Sequence, residues 1–371
     1  MQITPALEGG GVETLTVDMA TAVVVAGGRS LVASRGGRLE EALAWGGGEL
    51  VRMPVDTRQP WTMMANASRL EDLIRAEKVS LVHVRSRAPA FSALWAARRT
   101  RTPLVATYHG IYPARTRAKR WYNSVMTRGD VVIANSTFTR SHILAEHGVA
   151  ARKIEVIPEG VDIGTFDPIL VSPERVARVR ASWGVEAGDT VILVAARLAH
   201  WKGHRLAIAA LARSAARKKA KLVFAGRGEE SAYARQLAAA AAEAKVSLKI
   251  VGPCSDMPAA YLAADIVAAP STEPESFGRS VAEAGAMARI VIATNLGGVA
   301  ETVIDGETGL LAAAGDEAAW AAAFNRALKM SPDARAAMAT AAWTRVRDCY
   351  SMAQMCETTF ALYERLIEAK R

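Results

Sequence analysis

The chain is poor in cysteine and has no long apolar run, and each shortage removes a class of function. Its cysteines, Cys254, Cys349 and Cys356, include no pair two residues apart, which argues against a disulfide framework or a zinc knuckle. They are expected to be reduced packing residues. Apolar runs such as "VILVAA" (191–196) and "IVIATN" (290–295) stop well short of the roughly 20 residues that cross a bilayer. The opening "MQITPALEGGG" has no basic start followed by an apolar stretch, so a cytoplasmic location is expected. There is no Asp-x-Asp pair, and His83, His142, His147, His200 and His204 form no metal-ligand grouping, so neither a metal nor another cofactor is expected. The glycine cluster in "LEGGGVETL" (7–15) does not make the dinucleotide spacing Gly-x-Gly-x-x-Gly, because position 14 is Thr, which disfavours a nucleotide-dependent oxidoreductase.

What is present is a long, half-apolar, basic chain. With 371 residues and 51% hydrophobic residues, two domains with separate cores are expected. The net charge of +9 is concentrated in the first half, notably in "ARRTRT" (97–102) and "ARTRAKRWYNSVMTR" (114–128). Such runs serve either as solubility charge or as contact with anionic lipid head groups. Arg115 to Arg128 surround Trp121, Tyr122, Val125 and Met126, a basic segment with an apolar side suited to an anionic membrane surface. No nucleic-acid-binding motif accompanies the charge, so nucleic acid is not an expected partner.

Short β-branched runs alternate with helical stretches. "SLVASR", "LVRMPV", "LVHVRS", "LVATYHG", "VVIANS" and "KIEVIPEG" fall before residue 165, and "VILVAAR", "KLVFAG", "LKIVG", "DIVAAPS" and "IVIATN" after 190. Near-continuous apolar strands between helices indicate parallel sheets covered on both faces. The expected architecture is α/β, with two facing doubly wound Rossmann-like domains and a cleft between them. The expected domains are 1–165, joined by a C-terminal helix at about 350–371, and 190–349, with 166–189 as a linker and hinge. The helix after the glycine turn is expected to turn Val12, Leu15, Met19, Ala22 and Val23 inward.

Several strand ends carry chemistry. In "ARLAHWKGH" (196–204) Arg197 and Lys202 follow a strand, where two cations can neutralise a departing diphosphate. His109 ends the strand in "ATYHGIY" (106–112), and "VGPCSDM" (251–257) offers backbone at Gly252 for a flat base. In "TEPESFGRSVAEAG" (272–285) a helix starting near Gly278 places Glu283 within it and Glu275 in the loop before it.

Together "GGGVE", "ARLAHWKG", "PEGVDIGTFDP" (158–168) and above all "EPESFGRSVAEAGAM…VIATNLGGVAETVIDGETGLL" (273–311) resemble the retaining, GT-B-fold glycosyltransferases of family 4, of the bacterial kind that builds lipopolysaccharide and other envelope glycans. The resemblance covers nearly the whole chain. It implies a nucleotide-diphosphate-sugar donor, a glycan or lipid-linked acceptor held by the first domain, and work at the inner face of the inner membrane. Glu275 is implied against the transferred sugar, Glu283 on the ribose hydroxyls, Arg197 and Lys202 on the diphosphate, Gly10 and Gly11 as the turn contacting the diphosphate, and His109 near the sugar. Ser276, Phe277, Gly278 and Gly252 complete the implied donor contacts. The implied chemistry is metal-independent front-face transfer, in which the leaving diphosphate takes the acceptor's proton. A sugar-nucleotide epimerase of the same architecture and a non-catalytic sugar-nucleotide-binding protein are the alternatives.

Overall fold

The computed structural model describes residues 1–114, 116–186 and 188–370. It divides into two compact units, one formed by 1–158 with the chain from Met355 onward, the other by 159–354. Each is built on one parallel sheet, as expected for Rossmann-like domains.

The first unit contains β1 (Gln2–Ile3), β2 (Leu31–Ser34), β3 (Glu49–Arg52), β4 (Val82–Val84), β5 (Leu104–Tyr108), β6 (Val131–Ala134) and β7 (Ile154–Val156). Their order is β3-β2-β1-β4-β5-β6-β7. The central strands β4, β5 and β6 are buried along their length, which is why they read as unbroken apolar runs. Only two residues form β1, yet Gln2 and Ile3 pair with β2 on one side and β4 on the other.

The second unit contains β8 (Thr190–Ala195), β9 (Ala220–Ala225), β10 (Ser247–Val251), β11 (Ile266–Ala269), β12 (Ile290–Thr294) and β13 (Leu310–Ala312), in the order β10-β9-β8-β11-β12-β13. In both sheets the order reverses beside the first strand, between β1 and β4 and between β8 and β11. At such a reversal the loops leaving neighbouring strands diverge and open a crevice at their carboxyl ends.

Three expectations change. Residues 166–189, read as a linker, carry helix Pro173–Ser182 and send Val171, Trp183 and Val185 into the second unit's core. Their prolines mark the starts of short helical segments rather than a free hinge. In helix Gly11–Val25 the buried residues are Leu15, Thr16, Val17, Met19 and Ala20. Val12, Ala22 and Val23 are only partly covered, because Val17 and Ala20 turn toward Leu43 of helix Glu40–Trp45 and Val32 of β2. The basic segment also differs from a helix with one continuous apolar outer side. Val125 and Met126 are buried in the first unit's core, while Trp121 stays 59% exposed. The Phe91 ring, 5.4 Å from Trp121 and 5.6 Å from Tyr122, draws the aromatic side onto the unit itself. Arg115 lies outside the described residues.

No helix among the described residues is long and apolar enough to cross a membrane. From Met355 the C-terminal helix Met352–Glu368 belongs to the first unit, where Tyr363 hydrogen-bonds His83 and Arg365 pairs with Glu155 at 2.7 Å.

Candidate active site

The reversal point of the second sheet gathers residues 73 positions apart in sequence. The loop leaving β8 carries Arg197 and Lys202, and the loop leaving β11 carries Ser271 and Glu275. Lys202 Nζ donates to Glu275 Oε2 at 2.7 Å, and Ser271 Oγ donates to Glu275 Oε1. The ion pair is largely shielded, with side-chain exposures of 17% and 14%, so its attraction is less screened than that of a surface pair. Trp201 lies beside both cations, its ring centre 4.4 Å from Lys202 Nζ and 5.8 Å from Arg197 Cζ. An aromatic face favours cations at these distances.

Glycines set the spacing of these loops. Gly203 has φ +72, and a Cβ there would lie 1.7 Å from the Pro270 carbonyl oxygen, so the two loops meet backbone to backbone only at glycine. Thr272 N–H donates to the Trp201 carbonyl at 2.8 Å across the same seam. Next along the chain, His204 is fully buried against Phe224, with ring centroids 4.8 Å apart. Burial lowers its pKa to about 4, opposed by the Ala199 and Ala196 carbonyls, so at neutral pH an uncharged ring supports the cation-bearing loop.

Gly278, at φ +92, caps helix Arg279–Ala286. The helix begins where the sequence places it, with Glu283 inside it. Glu283 Oε1 accepts from Arg279 Nε and Oε2 accepts from Tyr261 Oη, both at 2.8 Å. Tyr261 is fully buried, and burial first, then the Glu283 charge, raises its phenol well above the ordinary value. It therefore stays a hydrogen-bond donor.

The remaining expected residues divide. Phe277 packs among Val161, Ala282, Ala286, Val346 and Tyr350, so its side chain is core and only its backbone faces the loop. Ser276 is half-buried beside Glu275. Gly252 follows β10, two strands from β8 in the sheet order; a Cβ there would meet Glu229 Oε1 at 2.6 Å. In the first unit Gly10 and Gly11 follow β1 and His109 follows β5. The Gly10 amide is taken, donating to Glu13 Oε2 at 2.6 Å, so a phosphate would have to displace that carboxylate. Tyr261, Arg279, Ser271 and Trp201 were not singled out by motif reading. Among the described residues no three His, Cys, Asp or Glu side chains form a group able to hold a metal ion.

Comparison with known proteins identifies the family and the fold. Residues 176–345 match the family described as glycosyl transferases group 1, and residues 9–165 match Glycosyltransferase Family 4. The chain is 31% identical, over 73% of its length and 72% of the relative's, to a GDP-mannose-dependent alpha-(1-6)-phosphatidylinositol monomannoside mannosyltransferase of Mycolicibacterium smegmatis. It is 32% identical to a D-inositol 3-phosphate glycosyltransferase of Kineococcus radiotolerans, covering 66% of this chain and 59% of that protein. The chain thus spans about three-fifths of the length of that relative. A glycosyltransferase from Rickettsia africae superposes with a TM-score of 0.91 at 29% identity, covering 99% of this chain and 97% of that one. HepE of Anabaena, solved with UDP-glucose, shares the fold with a TM-score of 0.85 at 24% identity and 98% coverage of both chains.

Proposed function

The chain belongs to the GT-B glycosyltransferases of the group 1 and family 4 kind, and on that footing we propose that it moves a sugar from a nucleotide-diphosphate donor to a hydroxyl acceptor with retention at the anomeric carbon. The observation that carries this is the cluster at the β8/β11 reversal, where Arg197 and Lys202 stand with Glu275 one loop before the helix that holds Glu283. As the bond to the sugar breaks, negative charge grows on the diphosphate and positive charge on the ring. The two cations and the amides at the start of helix Arg279–Ala286 stabilise the first, and Glu275 stabilises the second. No second carboxylate is assigned as a covalent nucleophile, and the reading is front-face, with a diphosphate oxygen accepting the acceptor's proton. Names of the relatives support the donor class: one uses GDP-mannose, and HepE was solved with UDP-glucose.

Glu283 is assigned to the ribose hydroxyls, with Tyr261 as a positioning residue. Tyr261→Phe keeps the ring and deletes the donor to Oε2, so KM for the donor is expected to rise about tenfold with kcat little changed, the scale of one hydrogen bond to a charged group. Steady-state kinetics over a donor series measures this. Equal loss in kcat and kcat/KM, or no change in KM, removes the positioning role.

We assign the diphosphate site to side-chain cations rather than a metal. Transfer is expected to persist in excess EDTA. Loss of activity on chelation, restored by Mg or Mn, contradicts this.

On the acceptor side, His109 and the first unit's basic surface suit an envelope glycan or lipid-linked acceptor such as a lipopolysaccharide core, presented at the cytoplasmic face of the inner membrane. A panel of nucleotide sugars read by thermal stabilisation, followed by NMR of the product's anomeric configuration, tests donor class and stereochemistry together. An inverted product rejects retention. Conversion of the sugar nucleotide without any acceptor indicates an epimerase.

A further inference from the structure

The basic run "ARRTRT" is not used by the site above. It ends helix Arg87–Thr100, and with the residues just before β6 and β7 it walls a cavity of about 510 Å³ in the first unit. The cavity's charged residues are Arg98, Arg101, Arg128, Lys153, Lys370 and Asp130. It opens at the amino ends of β5, β6 and β7, the sheet edge opposite the one that bears His109, so it is not the crevice where a parallel sheet binds its substrate.

The charges in it are unbalanced. Asp130 is engaged by Lys370 at 3.2 Å and by the Leu104 amide at 2.8 Å. Arg98, Arg101, Arg128 and Lys153 form no ion pair among the described residues; Arg128 bonds Ser124 Oγ at 2.9 Å, and Lys153 reaches the Gly129 carbonyl at 3.4 Å. Arg101 is held at φ +57, a conformation disfavoured for a residue with a side chain. Burial and then the neighbouring Arg98 charge lower the pKa of Arg128. Asp130 is taken by Lys370, so among the described residues four cations of the cavity are left without a paired carboxylate, and a bound anion relieves such like charge.

Arg98 also lines a second hollow of about 360 Å³, whose apolar wall is Met64, Ala67 and Trp95 and whose polar members are Ser68 and Arg99, the latter paired with Glu71. In this hollow Met64 and Trp95 are exposed at 53% and 38%, and Trp61, three residues before Met64 on the same helix, at 81%; Arg128 of the cationic cavity lies 4.9 Å from the centre of the Trp121 ring, itself 59% exposed. A cationic cavity joined through one arginine to a hollow with an apolar wall matches an amphiphile with a phosphate at its head.

We propose that the Arg98–Arg101–Arg128–Lys153 cavity binds the phosphodiester head group of an anionic phospholipid, whose apolar portion lies against Met64 and Trp95. This deepens the membrane part of the proposed function and rests on it, but does not depend on sugar transfer.

The test is sedimentation of the full chain with phosphatidylglycerol/phosphatidylcholine vesicles, compared with pure phosphatidylcholine, at low salt. Arg98→Gln/Lys153→Gln is expected to weaken binding to phosphatidylglycerol vesicles roughly 30-fold, the effect of removing two basic residues from an anionic surface. Met64→Ser, which leaves every charge in place, is expected to weaken it by a smaller factor. Arg117→Glu/Lys119→Glu/Arg120→Glu provides the comparison. If that triple variant loses binding while the cavity variant binds like the wild type, the cavity assignment is overturned and the broader membrane reading survives. No binding by the wild type overturns both. Calorimetric titration with inorganic phosphate and glycerol 3-phosphate is expected to show no binding below millimolar; tight binding of either assigns the cavity to a soluble phosphate compound and overturns the lipid.

Discussion

Glu275→Gln is expected to lower turnover by ~10²–10³-fold, and Lys202→Ala to do the same, while the fold survives. That is the range for losing one preorganised electrostatic stabiliser. The two side chains are bonded to each other at 2.7 Å, so a merely structural pair could also lower activity when broken, by leaving one shielded charge unpaired. The double variant Glu275→Gln/Lys202→Ala separates these readings. If the residues serve only each other, removing both recovers much of the loss. If Lys202 acts on the diphosphate and Glu275 on the sugar, each charge is still missing from the transition state and the double variant is no better than the worse single. The loss is expected in kcat, because both charges act on what develops during transfer. Near-normal turnover in either single variant ends that residue's assigned role.

The pairing was readable in its parts and not in its geometry. Arg197, Lys202 and Glu275 could be found because each follows an apolar run, and apolar runs between helices mark buried parallel strands. That Lys202 bonds Glu275 depends on β8 lying beside β11, an adjacency no local pattern encodes. Tyr261 gives no local signal: it is one tyrosine on an alanine-rich helix, and its value lies in an oxygen reaching Glu283 from 22 residues away. Helix Pro173–Ser182 was missed for another reason, since its prolines punctuate loops and helix starts alike. At the basic segment the composition was right and the facing right only in part. Val125 and Met126 turn inward, Trp121 stays exposed, and further exposed side chains, Trp61, Met64 and Trp95, come from two other helices.

Gly203→Ala is expected to destabilise the second unit by about 3 kcal/mol. Part of this is backbone strain, since Gly203 sits at φ +72 and a left-handed conformation costs an L-residue about 1–2 kcal/mol. The rest is steric. The added Cβ would lie 1.7 Å from the Pro270 oxygen and 2.5 Å from its carbonyl carbon, and both are backbone, so no side chain can swing away. Forcing such atoms apart costs about 1–3 kcal/mol. For a unit of this size about 3 kcal/mol lowers Tm by roughly 6–12 °C. Gly184→Ala is the control, because Gly184 has φ +65 with no atom within 4 Å of its Cβ position. It carries the strain without the collision and is expected to cost about 1–2 kcal/mol, so the difference between the variants reports the contact between the β8 and β11 loops. That contact also sets the separation of Lys202 from Glu275. Gly203→Ala should therefore lose turnover even at temperatures where it remains folded, and Gly184→Ala should not. Calorimetry with activity at 20 °C reads both, and a Gly203→Ala protein with the Tm and turnover of Gly184→Ala would show that the loops do not need this close approach.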